Sequence, residues 1–159
     1  MADELVRGVL SAGPDRLEAA GRHGVPQVVC PGALDMVNFG PRDTVPAEYD
    51  GRTFYQHNPQ VTLMRTTPEE NAELGRIAAR KLNRAEGPVV VLLPVRGVSA
   101  IDREGQPFHD PAADAAFREA LKTALDPRIP VRELDLHIND DAFADAAADA
   151  LLGLLGVGR

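Results

Sequence analysis

Arg65 and Thr66 stand directly before Thr67-Pro68-Glu69-Glu70, a segment with the marks of a helix start. Free N–H groups and the positive end of the helix dipole would face the same place as the guanidinium. That combination could hold a phosphate or a carboxylate. Gly97 and Ser99 follow a strongly apolar run and could form an anion-holding turn. His57, His109 and His137 offer acid–base groups or metal ligands, since imidazole titrates near neutrality. Gly32, Asp35 and Asn38 fall in one polar stretch, Asn58 follows His57, and Asn139 lies just past His137.

Each of these residues also has a plain structural reading. Thr67 suits the N-cap, Pro68 the first helical position and Glu70 the capping box. Gly97 could serve only to turn the backbone. His109 before Asp110-Pro111 most simply begins a helix, and His137 either supports a strand end or lines a site. Cys30 has no activating neighbour in sequence and reads as a small buried residue. Asp141, Asp145 and Asp149 read as the solvated face of the last helix. No Walker signature, no GxGxxG after a strand, no nucleophile elbow and no HExxH occurs, so no dedicated metal site is expected.

The elements that must position these groups follow from periodicity. Leu5, Val6, Val9 and Leu10 predict a helix over Ala2–Leu10, and a second short helix follows over Arg16–His23 with Gly24 as its cap. Val25–Cys30 predicts a strand. Residues 33–60 read as one long irregular loop, punctuated by Pro41, Pro46 and Pro59. A loop of that length inside a domain is often functional. Val61–Arg65 predicts a strand. The helix opened by Thr67 carries Leu74, Ile77, Ala78 and Leu82 on one face and ends before Gly87-Pro88. Val89–Leu93 is a continuous apolar run, as expected of a strand covered on both faces. An irregular stretch spans Pro94–Pro111. Ala113, Phe117, Ala120, Leu121 and Ala124 mark another helix, Val131–Leu136 a strand, and Asn139 or Asp140 caps a final helix.

This alternation predicts one α/β domain over residues 1–159: a mostly parallel sheet flanked by helices on both faces, Rossmann-like and three-layered. Ligands in such sheets lie beyond the carboxyl ends of the strands. The polar clusters at 31–40, 65–67, 94–99 and 137–140 all follow predicted strands, so they are expected on one edge.

The chain has 159 residues, 17 of them basic and 24 acidic, for a formal charge of −7. That balance argues against nucleic-acid and anionic-membrane binding. A single cysteine excludes an internal disulfide and fits a reducing cytoplasm. The longest apolar run is far too short to span a bilayer, and the acidic N-terminus has no secretory pattern.

Four segments together resemble a known family. They are residues 31–40 (PGALDMVNFG), 57–71 (HNPQVTLMRTTPEEN), 93–99 (LPVRGVS) and 137–140 (HIND). The chain resembles the uncharacterised protein family that includes the plant tobamovirus-resistance protein, along nearly its whole length. The resemblance implies an ATP-binding-type domain, with ATP and magnesium as the cofactors to expect. It also implies a unit of two α/β halves, of which this chain matches the second. The chain is then either an excised domain or half of a split protein. A small phosphorylated ligand is expected at the strand ends. A homo-oligomer, such as a dimer, or a partner N-terminal half-domain is the expected association. The alternative is a non-catalytic docking domain that completes a site with that missing half.

Overall fold

A computed structural model describes residues 1–157. The described residues form five α-helices and six β-strands: α1 (Ala2–Val6), α2 (Ala19–Arg22), β1 (Gln27–Val29), β2 (Met36–Phe39), β3 (Phe54–Asn58), β4 (Val61–Arg65), α3 (Pro68–Leu82), β5 (Val89–Pro94), α4 (Pro111–Ala124), β6 (Val131–Leu134) and α5 (Asp141–Leu155).

The fold is mixed α/β, and its strands divide between two sheets. β1, β5 and β6 form a parallel sheet in the order β1-β5-β6, with Val28 beside Val90 and Leu92 beside Arg132. β5 is central and every residue in it is buried. Its alternate residues serve two cores. Val89, Val91 and Leu93 pack with Leu74, Ala78 and Leu82 of α3 and with Phe117 and Leu121 of α4. Val90 and Leu92 pack with Phe143 of α5. A strand apolar on both faces needs cover on both, which is why this run shows no alternation.

The expectation of a single, mostly parallel sheet is corrected by β4. It lies at the centre of a second, antiparallel sheet in the order β2-β4-β3. Residues 33–60 therefore hold two strands and two 3-10 turns, Arg42–Thr44 and Ala47–Tyr49. Their signal was hidden because β3 is largely exposed and polar, while prolines and glycines break the stretch between β2 and β3. Val37, Phe39 and Met64 from this sheet enter the same core as α3 and α4.

The first two helices are shorter than periodicity predicts. Arg7 adopts a left-handed conformation (φ 61°) and closes α1. The segment after it then pairs with β2 through Val9 N–H and the Asn38 carbonyl. Leu17, also left-handed (φ 77°), delays the start of α2. α3 has the capping box expected of it: Glu70 N–H donates to Thr67 Oγ at 3.2 Å, and Thr67 N–H donates to Glu70 at 2.7 Å. α3 and α4 lie in close contact because Gly75 has no side chain; a Cβ there would stand 2.5 Å from the Phe117 carbonyl. Asp141, Asp145 and Asp149 are exposed on α5. Among the described residues no helix is long and apolar enough to cross a membrane.

Candidate functional site

β1, β4, β5 and β6 deliver their polar ends to one region. After β1 the chain turns through Gly32 and Ala33, the latter left-handed (φ 53°), and Ala33 N–H donates to the Val98 carbonyl at 2.9 Å. Asp35 follows and is fully buried. Its Oδ2 accepts from the Ser99 hydroxyl at 2.6 Å, and its backbone carbonyl accepts from Thr66 N–H. The Thr66 hydroxyl donates to the Leu34 carbonyl and accepts from Asn71 at 2.7 Å.

Arg65 is buried at the centre. Nε donates to the Phe108 carbonyl, and Nη1 donates to Thr66. Nη2 donates to the Asp110 carbonyl and to Asp114 at 2.8 Å, and lies 3.7 Å from Asp102. A guanidinium has five N–H donors, and these acceptors engage every nitrogen. Arg65 thus fastens β4 to the segment between β5 and α4.

Gly97 makes the sharp turn that this segment needs. Its φ is 123°, and a Cβ would stand 1.8 Å from the Asp102 carbonyl oxygen and 2.9 Å from the His137 ring. The His137 side chain is buried against it. Nδ1 of His137 receives Asn139 N–H at 3.1 Å and an Arg103 Nη2–H at 3.1 Å. A nitrogen accepting from two donors carries no proton. The ring is therefore the Nε2–H tautomer, assigned from its partners, and Nε2 donates to the Ser99 carbonyl at 2.9 Å.

Outside this buried network lies a cleft of about 570 Å³, lined by Val95, Arg96, Arg103, Glu104, His109, His137 and Asp140. It sits at the carboxyl ends of β5 and β6, beside the first turn of α5. Asp140 is the N-cap of α5, yet its carboxylate accepts from His137 N–H and caps nothing. Arg96 is held by Asp135 through two bonds of 2.8 and 2.6 Å. Arg103 is exposed and, among the described residues, makes no ion pair.

Of the residues singled out in sequence, the structure gathers Gly32, Asp35, Arg65, Thr66, Gly97, Ser99, His137 and Asn139. It separates three. Asn38 bonds to Asp3 through its side chain and its backbone N–H, both at 3.0 Å, and so anchors α1. His57 and Asn58 lie at the exposed far end of β3, where Asn58 accepts from Gln60 N–H in the hairpin turn. His109 reaches the cleft. Cys30 is half-buried, packs on the α5 side of the sheet, and burial raises its thiol pKa. Asp102, Arg103 and Asp114 were missed. The first two lie in a stretch with no periodicity. Asp114 did leave a signal, because it shares a helix face with Phe117 and Leu121, where an acid is out of place. Burial, with repulsion from Asp102, pushes its carboxyl up to about 7.

Among the described residues no group of three or more His, Cys, Asp or Glu side chains could hold a metal ion. The interior network can orient and stiffen. The cleft is where a ligand has room, and Arg103, which pairs with no carboxylate among the described residues, suits an anion.

Residues 1–155 match the model of the C-terminal domain of the uncharacterised protein family UPF0261. A UPF0261 protein of Clostridium tetani is 51% identical over 154 residues, covering 96% of this chain and 38% of the relative. One from Rhizobium meliloti is 53% identical over 152 residues, covering 94% and 38%. The tomato ToMV resistance protein Tm-1(GCR237) is 44% identical over 154 residues, covering 96% of this chain and 20% of that protein. The chain thus spans well under half the length of the curated relatives it matches.

Proposed function

The chain belongs to the uncharacterised protein family UPF0261, as its C-terminal domain, and from that premise we propose that it is a nucleotide- or phosphometabolite-binding α/β domain. The observation that carries this reading is the cleft at the ends of β5 and β6, where Arg103 has no acidic partner among the described residues. In a chain of net charge −7, an exposed guanidinium on a cleft wall that pairs with no carboxylate among the described residues is suited to a phosphate or carboxylate group. The parallel sheet with helices on both faces acts as a Rossmann-like three-layer unit, whose ligands lie beyond the strand carboxyl ends. Arg96 and His109 flank the anion. Gly97, Ser99, His137 and Asn139 shape the wall, while Asp35, Arg65 and Thr66 brace it from inside. ATP with magnesium is the ligand to try first, and the cytoplasm is the compartment in which such a ligand is met.

A second reading is a docking domain that completes a shared site with the other part of a family protein, or with a second copy in a dimer. Exposed Val9, Leu10 and Val25 favour it, together with the 38% coverage of the bacterial relatives.

Calorimetric titration with Mg-ATP, and separately with inorganic phosphate, tests both. It is run on this chain alone and mixed with the N-terminal part of a UPF0261 protein. Binding to the chain alone that is lost in Arg103→Gln supports the first reading. Binding only in the mixture supports the second. No binding under either condition overturns both.

A further inference from the structure

The cluster around Arg65 holds more acid than base. Asp35, Asp102 and Asp114 surround one guanidinium, and all four side chains are buried. Fully ionised, they would leave two negative charges without a counterion, a costly state away from water. Two of their oxygens, Asp35 Oδ1 and Asp102 Oδ1, have no hydrogen-bond partner among the described residues. Asp102 Oδ1 and Asp114 Oδ1 flank the same nitrogen, Arg65 Nη2, at 3.7 and 2.8 Å. A proton on the Asp114 carboxyl would remove one charge and turn its repulsion with Asp102 into a hydrogen bond.

We propose that the folded protein holds one proton between Asp114 and Asp102, and that releasing it loosens segment 97–110, which forms a wall of the cleft. Three fastenings of that segment pass through the cluster, beside others to Ala33, His137 and Ile138 that do not. Asp102 Oδ2 accepts from Val98 N–H at 2.8 Å, and Arg65 holds the Phe108 and Asp110 carbonyls at 2.8 and 3.3 Å. Arg103, Glu104 and His109 of the segment line the cleft.

The charged neighbours are few. β4 contributes Arg65, the turn before β2 contributes Asp35, and α4 contributes Asp114. Arg118 of α4 lines the same small cavity as Asp114 and lies 3.7 Å from Glu133. α3 brings the neutral Asn71 and, behind the Arg65 backbone, Glu70 paired with Arg52. His137 bonds to the Ser99 carbonyl. Burial raises Asp35 as well as Asp114. Asp114, however, shares one Arg65 nitrogen with the Asp102 carboxylate, whereas Asp35 has the neutral Ser99 hydroxyl for its partner, so Asp114 is the site assigned.

Asp114 rises from 3.8 to about 7 on folding, so the folded state binds the extra proton between those values. The stabilisation is full below the lower value and is lost as pH rises through the upper one.

The test is a carboxyl carbon NMR titration of the whole chain from about pH 5 to about pH 9, with amide hydrogen exchange followed in parallel. One aspartate, assigned to Asp114, is expected to titrate near neutrality. Exchange at Val98, Asp102 and Phe108, corrected for the intrinsic pH dependence, should speed about tenfold or more across the same range. In Asp114→Asn both changes should vanish, while Asp35→Asn should keep them. The proposal is overturned if every aspartate titrates below about pH 5, if the neutral transition persists in Asp114→Asn, or if exchange ignores it. Should either variant fail to fold, the titration and exchange of the unsubstituted chain still decide the matter.

Discussion

The Ser99 hydroxyl donates to Asp35 Oδ2 at 2.6 Å, joining two turns 64 residues apart in sequence. Both partners are buried, and the bond ties the exit of β1 to the exit of β5. Ser99→Ala strips a buried carboxylate of a side-chain donor. The expected loss is about 1–3 kcal/mol of unfolding free energy. Urea denaturation checks it, and an unchanged midpoint would show that this bond contributes nothing net.

Gly97 cannot accept a side chain where it stands. A Cβ would lie 1.8 Å from the Asp102 carbonyl carbon's oxygen, and φ is 123°. Gly97→Ala must therefore move segment 97–102 or the His137 ring. We expect a loss of about 2–5 kcal/mol, in the range of overpacking with backbone strain. Anion affinity in the cleft should fall with it. Thermal unfolding with a normal midpoint and native His137 ring shifts would contradict this.

Gly75 plays the corresponding role between helices. Its absent side chain lets α3 approach α4, where a Cβ would meet the Phe117 carbonyl at 2.5 Å and Leu121 N at 2.9 Å. Alanine is the better helix former by about 1 kcal/mol, so propensity alone predicts stabilisation. Backbone atoms cannot swing aside as a side-chain tip can, and overpacking typically costs about 1–3 kcal/mol. Gly75→Ala should be net destabilising in chemical denaturation. A more stable variant would mean that the helices separate freely.

Arg103 is exposed, so its removal should leave stability within about 0.5 kcal/mol of the starting protein. Its effect should appear in binding. A charge-assisted hydrogen bond is worth about 1.5–3 kcal/mol, so Arg103→Gln should weaken phosphate or Mg-ATP binding by roughly tenfold to a hundredfold. Calorimetry at fixed salt measures it. Equal affinity in the variant would move the anion away from this part of the cleft.

Much of the candidate site was legible because strand ends are legible. Val89–Leu93 marks itself by an unbroken apolar run, and the polar residues after it fall at the strand end. Thr67 and Glu70 announce the start of α3 by local chemistry, and their bonds form as expected. Asp114 left a trace, as an acid on an apolar stripe, but it was not singled out, and an acid out of place does not name its partners. Arg65 shows the limit most clearly. Its position before a helix start suggested a ligand contact, whereas its nitrogens are all engaged inside the protein.

The family, the helices α3, α4 and α5, and the buried strand β5 were determined by the amino-acid sequence alone, since each rests on local pattern or on long matched segments. The sheet to which β4 belongs was not, because pairing direction depends on which edge is free once the chain has turned back. Nor was the division between Arg65 and Arg103. The two have the same chemistry, and only packing makes one an internal brace with every donor satisfied while leaving the other in water. Burial is a collective property of residues far apart in the chain, so no local pattern could have told these two arginines apart.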